Sequence, residues 1–136
     1  MLEKINQFED MLLQLPQVLL RTEHEFCNGI YARTMYIPKG IALTGAIHAE
    51  ENFFVVRSGA IIVYTEKGMK QCKTGDMYIS YPGIKRVGFA TEDTVIRTFH
   101  HNPENITDLE DIWEKYTIAE DAVLLNNETL LIEVMT

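Results

Sequence analysis

Short β-prone segments separated by glycines fill the middle of this chain. All eight glycines lie between Gly29 and Gly88, among runs rich in Val, Ile, Tyr, Phe and Thr. Such runs are typical of strands, and glycine permits the tight turns between them. The predicted strands cover residues 31–37, 41–48, 53–57, 60–65, 69–73, 77–80, 86–90 and 94–100. Eight short strands of this kind predict a mainly β fold, an antiparallel barrel or double sheet.

The residues before and between these strands predict a helix and several turns. Apolar residues recur at helical spacing over residues 2–15, at Leu2, Ile5, Phe8, Leu12 and Leu15, and Pro16 ends the pattern. Residues 18–21 have the composition of a short strand, and His24 is expected in a loop. The segments 66–68 and 91–93 are predicted to be hairpin turns.

A second helix is predicted after the last strand. Thr107 or Asp108 would cap it, and its apolar positions continue to Tyr116. The tail holds two apolar runs split by Asn126 and Asn127, and either a hairpin or a helix fits them. The whole is one domain with three parts: an N-terminal helix and lead-in strand (1–28), the β-barrel (29–101), and the C-terminal helix and tail (102–136).

Charge and cysteine content exclude several classes of partner and site. The chain has 12 basic and 20 acidic residues, a net charge of −8, so nucleic acid and anionic membranes are unfavourable partners. Cys27 and Cys72 are far apart and have no metal-type spacing. The N-terminus lacks an apolar signal region, and no apolar run approaches the roughly 20 residues of a membrane helix. These features predict a cytoplasmic protein.

Two glycine-framed stretches carry a resemblance to a known family. The first reads Gly40, five residues, Ala46-Ile47-His48, three residues, Asn52, six residues and Gly59. The second reads Gly75, five residues, Tyr81-Pro82-Gly83, two residues and Arg86. Over about residues 29–101 these spacings resemble the cupin motifs GX5HXHX3-4EX6G and GX5PXGX2HX3N. More narrowly, the run from Tyr31 to His100, with YPGIKRVGFATEDT followed by a strand that ends in histidine, resembles short uncharacterised cupin-like proteins of phage and bacterial genomes. The resemblance implies a jelly-roll barrel, and the helical patterns described above add an N-terminal helix and a C-terminal helical extension.

The positions that hold a metal in many cupins are altered in this chain. Carried over by the resemblance, the three histidines fall on Ala46, His48 and Arg86, and the carboxylate falls on Asn52. Transition metals need imidazole, thiolate or carboxylate donors, and three protein ligands are usual at a catalytic site. A metal is therefore not favoured. A weak divalent transition-metal site would use His48 and His100, completed by Glu50 or Asn52.

Strand alternation predicts which side chains enter the barrel. If His48 points inward, so do Ala42 and Thr44, while Ile41 and Leu43 point outward. The outward residues include Ile47, Phe53 and Val55. An apolar outer face of this kind predicts cover by the N-terminal helix or by a second subunit, so a homodimer is expected. In the last strand His100 faces inward with Ile96.

The leading hypothesis is a small-molecule-binding protein without a metal and without catalysis. Its pocket would suit a small polar or anionic ligand, since a guanidinium binds carboxylate or phosphate in a bidentate manner. The candidate ligand-binding residues are His48, Asn52, Arg86, His100, Tyr64 and Tyr78. Lys85, next to Arg86, should face the opposite way.

Two alternatives remain open. One is a metal-dependent oxygenase or isomerase that uses His48, His100 and Glu50 or Asn52, with Glu50 and Glu51 available for acid or base chemistry. The other is an assembly module with a vestigial pocket, whose helices and apolar tail make the contacts. The sequence does not decide whether the chain is an enzyme.

Overall fold

The computed structural model describes residues 2–14, 18–44, 49–116 and 122–125. Within these residues the elements are α1 (Leu2–Leu13), β1 (Thr22–Cys27), β2 (Ile30–Ile37), β3 (Ile41–Thr44), β4 (Asn52–Ser58), β5 (Ala60–Thr65), β6 (Gly68–Lys73), β7 (Met77–Ser80), β8 (Arg86–Ala90), β9 (Thr94–His101), α2 (Leu109–Tyr116) and β10 (Ala122–Leu125). The described strands form two five-stranded antiparallel sheets. The first sheet has the order β1-β2-β9-β4-β7, and the second has the order β10-β3-β8-β5-β6. This arrangement confirms the predicted jelly roll with a helix at each end.

The main core lies between the two sheets. Both sheets contribute buried apolar side chains to it: Ile37, Ile41, Leu43, Phe54, Val56, Ile61, Cys72, Ala90 and Ile96. Full burial of a side chain such as Leu or Ile stabilises a protein by about 1.5–3 kcal/mol, so this layer holds the two sheets together.

A second core lies between α1 and the outer face of the second sheet. Ile5, Phe8 and Leu12 of α1 are fully buried there against Ala42, Val87 and Phe89. The prediction for β3 was therefore wrong: Ile41 and Leu43 point into the main core, and Ala42 points outward under the helix. Because both faces of the second sheet are covered, both faces of β3 carry apolar residues, and their pattern does not show which face points into the main core.

Two local predictions about loops also differ from the structure. The turn at 66–67 joins β5 to β6 as a hairpin, as predicted. The segment 91–93 is not a hairpin, since it connects β8 of the second sheet to β9 of the first. Residues 18–21 are not a strand. The strand begins at Thr22 and includes His24, which was expected in a loop.

The C-terminal elements pack onto both sheets. The Asp108 carboxylate accepts a hydrogen bond from the Asp111 amide at 3.1 Å, which makes Asp108 the cap of α2. Ile112 of α2 packs on Tyr31 of β2. The first apolar run of the tail forms β10, which pairs with β3, and the second run lies outside the described residues. None of the described helices has the length and apolar character required to cross a membrane.

Candidate functional site

A cavity of about 260 Å³ lies where β5 and β6 face β4 and β7. Six of its lining residues define what we call the cationic cavity: Phe54, Lys67, Lys70, Tyr78, Tyr81 and Arg86. Among the described residues that line it, none is Asp or Glu. The cavity opens to solvent beside the exposed Lys67 and Lys70, whereas Arg86 is half-buried. Its walls therefore carry positive charge in a chain whose net charge is −8.

Each cation of this cavity lies over an aromatic ring. The Arg86 guanidinium carbon is 5.2 Å from the centre of the Phe54 ring, and Lys70 Nζ is 4.3 Å from the centre of the Tyr78 ring. Lys67 Nζ lies 5.9 Å from the centre of the Tyr81 ring. Such cation–π contacts orient a charged group without neutralising it. The rings therefore hold the three cations at the wall of the cavity.

Strand alternation places these side chains in the cavity. Arg86 pairs with Thr65, and both line the cavity. On β6, Lys70 and Cys72 are two residues apart and share the face turned toward the first sheet. Lys85 points away from Arg86 and reaches Glu9 of α1.

The acidic groups of Cys72 and Tyr78 meet inside the cationic cavity. Burial raises the pKa of the Cys72 thiol, although its hydrogen bond with Tyr78 lowers it in part. Burial likewise raises the pKa of the Tyr78 phenol, and the neighbouring Cys72 and Asp76 add to the increase. Cys72 and Tyr78 are therefore held in their protonated, neutral forms and add no charge of their own to the cavity. The Asp76 carboxylate lies near both groups but does not line the cavity.

A second cavity, of about 460 Å³, lies at the start of β4. We call it the acidic cavity, and it is lined by Glu50, Glu51, Asn52, Phe53, Ile79, Phe99 and His101. Glu50 Oε2 lies 3.9 Å from His101 Nδ1, and both side chains are exposed. Asn52 is only 5% exposed, and no donor in the described chain reaches its side-chain oxygen Oδ1.

His100 belongs to neither cavity and is part of an aromatic stack on the first sheet. Its ring lies 5.5 Å from that of Tyr31, and its Nε2 is 2.7 Å from Thr98 Oγ1. On the other side, His24 Nδ1 is 2.6 Å from the Tyr31 hydroxyl. Burial raises the pKa of Tyr31. The pKa of His24 is lowered, first by burial and then by the charge of Arg33.

The candidate residues from the sequence therefore do not form one pocket. Arg86 and Tyr78 line the cationic cavity, and Asn52 lines the acidic cavity with Glu50. Tyr64 lies on the opposite face of β5, where it packs under α1, because its pairing partner Val87 faces outward. His48 and Ala46 lie outside the described residues.

Sequence reasoning missed Phe54, Lys67, Lys70 and Tyr81 as neighbours of Arg86. The sequence does contain a signal for Lys70, because Lys70 lies two residues from Cys72 on a predicted strand and therefore shares its face. Nothing in the sequence indicates which side chains meet across the two sheets.

At the two cupin metal positions that the structure describes, the side chains do not fit a metal of that kind. Arg86 offers a fixed positive charge and no lone pair, and its guanidinium lies over Phe54. Asn52 lines a different cavity from Arg86. Nowhere in the described segments do three or more His, Cys, Asp or Glu side chains come together as metal ligands.

Comparison with known proteins shows a similarity of fold. No protein-family model matches the chain, and no curated protein matches it. Ectoine synthase from P. lautus superposes with a TM-score of 0.63 at 14% identity, over 82% of this chain and 80% of that chain. KdgF from Halomonas sp. superposes with a TM-score of 0.54 at 12% identity, over 65% of this chain and 89% of that chain. An RmlC-like cupin from Shewanella frigidimarina superposes with a TM-score of 0.53 at 16% identity, over 61% of this chain and 76% of that chain.

Proposed function

We propose that this chain, which has the cupin fold, is a small-molecule-binding protein that holds a small organic anion in its cationic cavity. The observation that carries the proposal is the lining of that cavity. Three cations, Lys67, Lys70 and Arg86, line it without a carboxylate among the described lining residues, in a chain of net charge −8.

Electrostatics support an anion in the cationic cavity. The overall negative charge repels an anion at long range. Close to the half-buried Arg86, charges act across a medium of lower effective dielectric than water, so this cation outweighs more distant carboxylates. Arg86 is half-buried and can donate two parallel hydrogen bonds to a carboxylate or phosphate.

The size and the remaining lining of the cavity favour a small ligand with an apolar part. Val63, Ile79 and Ile84 line the cavity beside the aromatic rings. The volume of about 260 Å³ is below the range of about 300–1,000 Å³ that is usual for larger ligands. A short carboxylic acid fits this description better than a nucleotide.

Binding of a panel of short carboxylates and phosphate esters, measured by calorimetry, tests the proposal. We expect Arg86→Met and Lys70→Met each to weaken the best ligand about tenfold or more, since a hydrogen bond to a charged group contributes about 1.5–3 kcal/mol. Lys73→Met is the matched control. Lys73 is an exposed cation on β6 that does not line the cavity.

Two results would contradict the proposal. One is that no anion of the panel binds the wild-type protein. The other is that affinity stays the same in Arg86→Met and Lys70→Met, or falls equally in Lys73→Met. Thermal unfolding of each variant verifies that the fold is intact.

A further inference from the structure

We propose that the ligand of the cationic cavity carries two anionic groups, one at each end of a short apolar chain, as in a dicarboxylate of roughly four to six carbons. The inference rests on the proposed function, which requires only a small organic anion. Three features of the cavity carry it: the different burial of its cations, the pairing of the rings beneath two of them, and the apolar lining between those two.

The cations of the cavity differ in their exposure to solvent. Arg86, the first residue of β8, is half-buried. Lys67, in the turn before β6, and Lys70, within β6, are both exposed. Because water and salt screen a half-buried charge less than an exposed one, the strongest single position for a carboxylate is at Arg86.

Two of the cations lie over rings that are direct neighbours. The Arg86 guanidinium lies over Phe54, and Lys70 Nζ lies over Tyr78. Phe54 of β4 and Tyr78 of β7 are cross-strand partners, and the Cβ atoms of such partners are about 4.5–5.5 Å apart. One short ligand can therefore reach both cations. A carboxylate bound by Arg86 in a bidentate manner uses both of its oxygens there, so Lys70 contacts a second anionic group.

An apolar surface lies between these two charged positions. On the second sheet, Val63 of β5 pairs with Lys70 of β6. Val63 is two residues from Thr65, the partner of Arg86, so Val63 and Thr65 share one face of the sheet. Val63 lines the cavity, as does Phe54 on the opposite wall. Methylene groups gain from packing on these side chains, whereas a polar group there would lose its water without replacement.

The charge of the lining favours a dianion over a monoanion. No Asp or Glu is among the described residues that line the cavity. Asp76 lies near Cys72 and Tyr78 but outside the lining. Glu66, next to Lys67, is exposed in the turn and also lies outside the lining. A dianion therefore balances more of the positive charge of the cavity than a monoanion does.

Calorimetric titration of the full chain with a matched set of ligands tests the inference. Glutarate carries a carboxylate at each end, and glutaramate has the same length with one carboxylate replaced by a carboxamide. Propyl phosphate carries all of its charge at one end. We expect glutarate to bind about tenfold more tightly than either of the others, since only glutarate places a charged acceptor at both cationic positions.

Variants test whether the lysines recognise the second carboxylate. In the double variant Lys67→Met with Lys70→Met, the preference for glutarate over glutaramate should fall from about tenfold to about twofold or less. The double variant Lys67→Arg with Lys70→Arg conserves both charges and should retain most of the preference. Lys73→Met removes an exposed cation outside the cavity and should retain all of it.

Three outcomes would overturn the inference and leave the proposed function intact. Equal affinities for glutarate and glutaramate would show that one anionic group is sufficient. Tighter binding of propyl phosphate than of glutarate would show that the amount of charge matters and its spacing does not. A preference that persists in the Lys67→Met and Lys70→Met double variant would place the second carboxylate elsewhere. If no anion binds at all, the proposed function fails, and the inference fails with it.

Discussion

Gly59 occupies a tight turn between β4 and β5. Its φ angle is +93°, in the left-handed region that side chains disfavour. A Cβ added there would lie 2.3 Å from the Asp93 carbonyl oxygen and 2.7 Å from Thr94 Cα. The close approach brings the β4–β5 turn against the start of β9, so this glycine connects the two sheets.

We expect Gly59→Ala to lower the free energy of unfolding by about 3 kcal/mol or more, since both the backbone and a steric clash oppose it. Gly83→Ala is the matched control. Gly83 has a φ angle of +76° but open space around its Cβ position, so only the backbone cost of about 1–2 kcal/mol applies. Urea denaturation measures both, and equal losses would contradict the steric argument.

The ionisation of His24 is coupled to folding. It is half-buried beside Tyr31, and its pKa is lowered from 6.5 by burial and by Arg33. As the pH falls, the unfolded chain therefore binds the proton before the folded chain does. The folded state loses stability over that interval.

We expect the free energy of unfolding to fall as the pH decreases through about 6.5, and this fall to be smaller in His24→Gln. Urea denaturation at pH 8 and pH 5.5 measures it in both proteins. The difference between the two slopes isolates the His24 ring from other titrating groups. Identical pH dependence in the wild type and the variant would rule out this role for His24.

At the scale of elements, a buried ion pair attaches α1 to the second sheet. Lys85 is 1% exposed, and its Nζ lies 2.6 Å from Glu9 Oε1. The Thr44 hydroxyl donates to Glu9 Oε2 at 2.7 Å. This network lies among the apolar contacts of α1, so it selects one position of the helix on the sheet.

We expect Lys85→Met to lower the free energy of unfolding by about 3 kcal/mol, since it leaves the Glu9 carboxylate without its cation. The double variant Glu9→Leu with Lys85→Met should recover much of that loss, because neither charge then remains buried. Guanidinium denaturation of the single and double variants measures the coupling. A double variant that is less stable than Lys85→Met would contradict this account.

At the scale of the whole molecule, the negative net charge is not evenly distributed. The inter-sheet cavity collects three cations, and the cavity at the start of β4 collects two carboxylates. Ile79 of the edge strand β7 lines both. One jelly roll thus presents two cavities whose charged lining residues have opposite signs.

The homodimer remains a prediction, and part of its basis has changed. The outer face of the second sheet is covered by α1 of the same chain. The outer face of the first sheet still exposes Phe53 by 47% and Met77 by 61%. We expect light scattering to give twice the chain mass of 15.6 kDa, and Met77→Lys to reduce it.

A wild-type mass of one chain at micromolar concentration would rule out this dimer. A partner on the face of Phe53 would also lie beside the acidic cavity, since Phe53 lines it.

Most strands of this fold were determined by the sequence alone. The strands 60–65, 77–80 and 86–90 have the predicted bounds, and the cupin-like spacing of glycines predicted the jelly roll. These signals are local: alternation, β-branched residues and turn glycines act within a few positions of the chain.

Only the tertiary structure decided which faces and which side chains meet. It turned Ile41 inward because α1 covers the other face of β3, and it carried the chain at 91–93 from one sheet to the other. It also brought Lys70 to Arg86 and Glu9 to Lys85. The physical reason is that the burial and the charge environment of a side chain depend on neighbours distant in sequence. The residue pattern of a strand covered on both faces does not show which face points into the main core.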